Sequence, residues 1–387
     1  MIGTPSQLSL ECENAPLFAT LSDDLRQLAA NDRIRILKPR AGIDISSNDY
    51  LGLSHSALLA QAITDAVARG VSVGSGGSRL LRGNDPEHEA LEEEAAAYFG
   101  SETTLYFATG YTANAALLAT LPQRGDLIIH DALIHASMHE GLRLSRAQGV
   151  AAGHNDPTRI ERAITDWRTA GGMGSPWIAV ESLYSMDGDR APIADLVAIA
   201  DRHDAVLMID EAHATGVFGV GGRGLAADLD GRPNVITLRT CGKALGCEGA
   251  LVCAPRVVRD FLVNRGRAFI FSTAPSPLMA SAVRASLRLL DTEPERRDRL
   301  AALIAHAATA LAPLGIAPTG SQIIPIILGN DAHAMAAADS LQARGFDVRG
   351  IRPPTVPVGT ARLRLSITLN VDTAAIDALA DALATVL

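Results

Sequence analysis

Five consecutive apolar residues, 205–209, run directly into two acids, Asp210 and Glu211. A run with no polar interruption reads as a strand buried on both faces, the pattern of a parallel sheet rather than of a half-solvated hairpin. In open α/β sheets ligands bind beyond the carboxyl ends of such strands, which puts Asp210 at a place suited to chemistry. A second apolar run, 235–238, leads in the same way to Thr240 and then to Lys243 within TCGKALG. Taken singly, Asp210 reads as a loop cap and Lys243 as a solvated charge. The ordered pair, with His213 three residues after the acid and Gly242 and Gly246 around the lysine, points instead to one site built at the ends of neighbouring strands.

The rest of the chain fits such a sheet. Helical periodicity at 55–69, 86–99 and 112–121, with Gly100 as a stop, alternates with strand-like runs at 104–108, 127–129, 177–180, 206–209, 235–238 and 250–252. Alternation of this kind predicts an α/β fold with a mostly parallel sheet covered on both faces. A helix and connector fall within 20–40. Beyond a boundary near 285 come a helix at 293–311, a strand at 323–327, a helix at 332–344, strands at 347–351 and 361–368, and a closing helix from Asp372. The expected division is therefore an N-terminal segment 1–50, a large domain 51–285 and a smaller α+β domain 286–387.

Composition narrows the function classes. The chain has 387 residues, 48% of them hydrophobic, enough for a substantial core in about two or three domains. A net charge of −9 argues against an extended nucleic-acid surface, and no nucleic-acid motif is present. No apolar run approaches the ~18 residues of a membrane span. The N-terminal run lacks a basic region followed by an apolar stretch, so no signal peptide is expected. Cys12, Cys241, Cys247 and Cys253 are too few for a disulfide framework; the last three, six residues apart, invite a metal, but no nearby histidine completes a zinc set. Small buried thiols in a soluble cytoplasmic protein are the expectation, with no metal.

Lysine and aspartate at strand ends suit pyridoxal phosphate chemistry, in which a carboxylate holds the pyridine nitrogen protonated and a lysine forms the Schiff base. Thr109-Gly110-Tyr111, between a strand and a helix, presents free backbone N–H groups to an anion such as the cofactor phosphate. His135 and His213 sit among small residues with room for a ring, one to stack and one to hydrogen-bond. The glycine-rich run VSVGSGGSRLLRGN (71–84) has no P-loop ending, and close backbone approach to a ligand or partner subunit is expected of it. Arg352, followed by Pro353 and Pro354, is a candidate carboxylate clamp. Arg362 and Arg364 alternate with leucines and are expected to be solvated charges on a half-exposed strand.

Taken in order, SNDYLGLS, GSGGSR, HASMHEG, ESLYSMDGD, DEAHATGVFG, the GK of TCGKALG, FSTAP and RPPTVPVGTARLR resemble the α-oxoamine synthase family of fold-type I pyridoxal phosphate enzymes, over nearly the whole chain from Ser46 to about Thr368. Such enzymes join an amino acid to an acyl thioester with loss of carbon dioxide. The late run is most similar to members that condense L-alanine with a pimeloyl thioester, carried by coenzyme A or acyl carrier protein. The resemblance implies that Lys243 is the Schiff-base lysine, Asp210 the partner of the pyridine nitrogen and His135 the stacked ring. It further implies that His213 and Ser185 reach the phenolic oxygen, that Gly110, Tyr111 and Thr240 contact the phosphate, and that Asn48 and Arg352 hold the amino acid. Glu181 is implied as a further acid of the site, and Thr273 as a phosphate contact to the neighbouring subunit of a homodimer. An N-terminal basic residue near the substrate would be Arg33 or Arg35. Arg82, Cys247 and Glu248 depart from the family pattern and are expected to stand apart from the cofactor residues.

Overall fold

The run before Asp210 forms the strand Val206–Asp210, paired in parallel with Pro176–Glu181 on one side and Val235–Thr240 on the other. Its continuous apolarity follows from burial on both faces. Met208 joins a core cluster with Leu117, Met138 and Ile236, while Leu207 and Ile209 join a separate one with Ile160, Leu196 and Ile199. The computed structural model describes residues 16–387; Cys12 and the N-terminal run read as free of a signal peptide lie outside the described residues.

The chain divides into two units. The larger is Asn48–Ala302 with Thr368–Asn370; the smaller contains the described residues up to Ser47 with Leu303–Ile367 and Val371–Leu387. In the larger unit seven strands form one sheet in the spatial order 103–107, 250–254, 235–240, 206–210, 176–181, 127–131, 148–152. Only Ala250–Ala254 runs against its neighbours, so the sheet is mostly parallel, as expected. The edge strand Gln148–Ala152 was not legible in the sequence. It is mostly exposed and built of small residues, and so lacks the buried run that marks the central strands. Pro86–Phe99 starts at an Asp85 capping box and ends at Gly100 in the left-handed region (φ 78°), matching the expected helix at both ends.

The division falls at 302/303 rather than at 285/286. Position 285 lies inside the helix Pro277–Thr292, which belongs to the larger unit. Arg284 reaches Glu94 at 2.6 Å and Arg288 reaches it at 3.1 Å, so charged partners from Pro86–Phe99 hold this helix. The N-terminal segment does not stand apart either. Ile43–Asp44 pairs in parallel with Phe346–Asp347 within the smaller unit.

The smaller unit also holds an antiparallel sheet of Gly350–Ile351, Ala361–Ser366 and Ile323–Gly329, in that order. Ala361–Ser366 is its central strand and is buried throughout. That corrects the expectation for Arg362 and Arg364, which are 3% and 6% exposed. Partners on both edges and cover on both faces leave no solvated side for them. Arg362 donates to the Thr360 carbonyl at 3.0 Å, and Arg364 to Ser366 Oγ at 2.7 Å.

Candidate active site

At the carboxyl ends of the central strands lies a cavity of about 410 Å³ lined by Asn48, Gly110, Tyr111, His135, Glu181, Asp210, His213, Thr240 and Lys243, among others. Nine residues spread over nearly two hundred positions are thus brought to one place by the parallel sheet.

Asp210 is 4% exposed, and its carboxylate is fixed by two donors. The side-chain amide of Asn114 donates to Oδ2 at 2.7 Å, and the backbone N–H of Ala212 to Oδ1 at 2.8 Å. Asn114 also donates to Ser137 Oγ at 3.0 Å. The sequence reading missed Asn114, although an amide in the otherwise apolar helical run ALLAT and its approach was a usable signal: a buried polar side chain needs a partner. Lys243 Nζ lies 3.5 Å from Thr240 Oγ1.

His135 caps the helix Ala136–Leu144, with Nδ1 accepting from the Ser137 backbone N–H at 3.2 Å. Burial pushes its imidazole below the ordinary value, and Lys243 adds to the effect against the opposing pull of Asp210. A neutral ring therefore faces the cavity. His213 Nδ1 lies 2.7 Å from the hydroxyl of Tyr50, which also reaches Asn48 Oδ1 at 3.0 Å. Tyr50, fully buried, is a second residue that the sequence reading passed over, although it stands inside SNDYLGLS.

The anion end of the cavity is a helix N-terminus. Thr109 caps Gly110–Thr120 by accepting from Thr112 N–H at 3.0 Å, so the first N–H groups of the helix have no intrahelical acceptor. Glycine is required at 110, because a Cβ there would come within 2.4 Å of Thr240 Cγ2. An acid at one wall, an amine beside it, a neutral imidazole and an anion-binding helix end fit a planar ring bearing a basic nitrogen, an aldehyde and a phosphate.

Not every expected residue lines this cavity. Ser185 sits behind it, its N–H donating to Glu181 Oε2 at 3.1 Å. Thr273 lines a small separate cavity with Arg79, Phe107, Ala108 and Phe269. Nearby, the glycine-rich run makes its close backbone approach to FSTAP of the same chain: Ala274 N–H donates to the Gly77 carbonyl at 2.9 Å, and Ser276 Oγ to the Val73 carbonyl at 2.6 Å. Arg82 is exposed, but Cys247 and Glu248 line the main cavity, contrary to expectation. The turn at Gly246 (φ 65°) folds the chain back so that Cys247 N–H meets the Cys241 carbonyl at 2.8 Å. Burial pushes the Cys247 thiol up to about 12, so it is not a nucleophile at neutral pH. Cys241 and Cys253 are buried thiols.

Arg352 belongs to the smaller unit and is 7% exposed. It donates to the Ile34 carbonyl and contacts Met335 Sδ at 3.0 Å, while its Nε–H is buried without a partner. Burial and then the neighbouring Arg35 hold its guanidinium below the usual value. Arg33 is paired with Asp331 at 2.7 Å, whereas Arg35, among the described residues, meets a hydroxyl, Thr355 Oγ1, at 3.5 Å.

Behind the cavity His154 sits between two carboxylates, Nδ1 at 2.9 Å from Asp131 and Nε2 at 2.8 Å from Asp189. Asp131 ends the strand before His135, and Asp189 closes the turn that carries Ser185. Burial alone would lower its basicity, but the hydrogen bonds to the two carboxylates outweigh burial and carry the imidazole up to about 10. The folded value lies above the ordinary 6.5, so the charged ring stabilises the fold fully below pH 6.5 and progressively less as pH rises through about 10. His154→Gln is expected to lower the melting temperature most at pH 6, with the difference from wild type shrinking toward pH 10; a pH-independent difference would remove the charged clamp.

A family model described as aminotransferase class I and II matches residues 40–383. The chain is 43% identical over 351 residues to 8-amino-7-oxononanoate synthase of Anaeromyxobacter dehalogenans (strain 2CP-1), covering 90% of this chain and 87% of that protein. Among solved structures, a serine palmitoyltransferase variant from S. paucimobilis with bound PLP–myriocin superposes with a TM-score of 0.86 at 25% identity, covering 96% of this chain and 97% of that one. An 8-amino-7-oxononanoate synthase from Francisella tularensis gives a TM-score of 0.73 at 27% identity, covering 89% and 96%.

Proposed function

We propose that this chain, which belongs to the class I and II aminotransferase family and is a pyridoxal phosphate-dependent α-oxoamine synthase, joins L-alanine to a pimeloyl thioester with loss of carbon dioxide, giving 8-amino-7-oxononanoate for biotin synthesis. The observation that carries the chemistry is the meeting of Lys243, a doubly held Asp210 and the neutral ring of His135 in one cavity. The choice of substrates is supported by the names of relatives. Serine palmitoyltransferase has the higher TM-score, but 43% identity to a synthase against 25% weighs toward alanine and a pimeloyl group.

Pyridoxal phosphate, when bound, supplies a protonated ring that spreads the negative charge left at a substrate carbon. Asp210 would hold the ring nitrogen protonated, with Asn114 and the Ala212 N–H aiming its carboxylate. Gly110 and Tyr111 N–H groups and Thr240 would hold the phosphate. His135 would lie against the ring, while His213, oriented by Tyr50, and Ser185 would reach the phenolic oxygen. Lys243 would anchor the cofactor through Nζ and, once freed, take the substrate's α-proton and later return one.

The resemblance to the family supports Asn48 and Arg352 as the residues that would bind the carboxylate of the amino acid. Arg35 rather than Arg33 would be the N-terminal basic residue near the substrate, because Arg33 is already neutralised by Asp331. A homodimer in which Thr273 contacts the neighbouring subunit's phosphate, and a cytoplasmic setting, complete the reading. Among the described residues no helix is long and apolar enough to cross a membrane.

Turnover with alanine, glycine and serine against pimeloyl-CoA, pimeloyl-acyl carrier protein, acetyl-CoA and palmitoyl-CoA tests the reading. Alanine with a pimeloyl donor should be fastest; preference for glycine and acetyl-CoA or for serine and palmitoyl-CoA would replace it. Arg352→Ala should weaken alanine binding while pyridoxal phosphate stays bound. Loss of a charge-assisted pair from a buried position costs roughly 2–5 kcal/mol, against ~1 kcal/mol for a surface ion pair. Lysine there should restore only part, since an ammonium lacks the planar fork. An unchanged alanine dissociation constant, read by spectral titration, would make Arg352 a structural residue.

A further inference from the structure

Two acids share one wall of the cavity. Glu181 and Asp210 are register partners on adjacent parallel strands, which sets their backbones about 4.8 Å apart, and both line the same cavity at 2% and 4% exposure. Two ionised carboxylates so placed, with little water between them, repel strongly, and such pairs hold one proton.

Their hydrogen bonds decide which acid holds it. Asp210 has an N–H donor on each oxygen, at 2.7 and 2.8 Å, and donors of that kind favour the ionised form. Glu181 has a single donor, Ser185 N–H at 3.1 Å on Oε2, while Oε1 is buried with no partner. We infer that Glu181 is a neutral carboxylic acid in the working enzyme, a positioning residue that leaves Asp210 as the single negative charge of the pair.

The surroundings agree. Burial and then Asp210 push the Glu181 carboxyl well above its usual range, Asp131 adds to this, and Lys243 and the Ser185 N–H oppose it. Of the rings that line the cavity, His135 is neutral and does not compensate the pair, and His213 has its Nδ1 on the Tyr50 hydroxyl. With one charge in place of two, Asp210 keeps its attraction for a protonated ring nitrogen while the second acid spends no energy on desolvating an anion.

The proton assignment stands on the carboxylate geometry; its consequence for the ring nitrogen rests on the cofactor reading above. Infrared difference spectra of the cofactor-loaded enzyme at about pH 7.5 should show a carboxylic-acid C=O band that shifts with ¹³C-glutamate labelling, stays put with ¹³C-aspartate labelling, and is diminished or lost in Glu181→Gln. Glu211, which burial lifts to about 7, carries the same label, so the part of the band lost in Glu181→Gln is the part assigned to Glu181. Wild type alone keeps the test decisive if the variant does not fold: no acid band, or one that follows the aspartate label, overturns the inference.

Linkage gives a second readout. A folded-state value raised above 4.5 means that stability is full below 4.5 and falls as pH climbs toward the raised value, and glutamine removes that fall. The ratio of unfolding constants, wild type over Glu181→Gln, should therefore rise with pH above about 5, by up to about tenfold per pH unit, until the raised folded-state value is reached. A flat ratio would show an ionised Glu181. A glutamate acid band in a protein that does not retain pyridoxal phosphate would sustain the proton and sink the cofactor reading.

Discussion

Replacing Lys243 with alanine should abolish measurable turnover, a loss of at least ~10⁴-fold, because one side chain is proposed both to anchor the cofactor and to move the α-proton. Proton transfer by a positioned group alone contributes about 10²–10⁴-fold, and the covalent role adds to it. The residue has what both tasks need: it lines the cavity, lies 3.5 Å from Thr240 Oγ1 and sits at the end of a strand adjacent to that of Asp210. Wild-type protein should be yellow, and borohydride treatment should leave the cofactor on a Lys243 peptide. The alanine variant should bind pyridoxal phosphate only reversibly. Label recovered on another lysine would overturn the assignment, as would alanine-variant turnover within an order of magnitude of wild type.

Asp210→Asn should fold normally and lose activity by roughly 10²–10³-fold or more, the scale of removing one preorganised electrostatic group, about 3–4 kcal/mol in the barrier. An amide is nearly isosteric with the carboxylate but cannot hold a pyridine nitrogen protonated. The substitution also presents an NH₂ where Asn114 and the Ala212 N–H now donate, so one of those hydrogen bonds, 2.7 or 2.8 Å, becomes a donor–donor clash. Melting temperature therefore falls modestly while kcat falls steeply. Near wild-type kcat with the cofactor bound would remove Asp210 from the chemistry.

Much of this site is legible in the sequence alone. A carboxylate after a fully apolar run and a lysine after the next such run already imply neighbouring strand ends, because a parallel sheet binds ligands there. Gly110 was legible for a similar reason, since a strand, a glycine and a helix make an anion-binding turn. Tyr50 and His154 were not, and for Asn114 the sequence signalled a buried amide but not its partner. Each acts through a partner far away in sequence: Asn114 through Asp210, Tyr50 through His213, His154 through Asp131 and Asp189. Periodicity reports which side of an element is buried and says nothing of which distant side chain it meets.

The same limit explains the misread strand and boundary. Arg362 and Arg364 alternate with leucines as a half-exposed strand would, and only pairing on both edges made Ala361–Ser366 central and buried its arginines. The expected boundary near 285 falls inside a helix whose Arg284 and Arg288 are held by Glu94 of the larger unit. The sequence by itself determined the mostly parallel sheet, the strand-end acid and lysine, and the helix N-terminus, since each rests on local pattern: burial on both faces, a turn, a cap. Tertiary structure alone decided that Glu181 and Asp210 share one buried wall, that Arg33 rather than Arg35 pairs with Asp331, and that Cys247 and Glu248 line the cavity. Protonation, charge pairing and cavity lining depend on distances between residues remote in the chain, and those distances exist only once the sheet has formed.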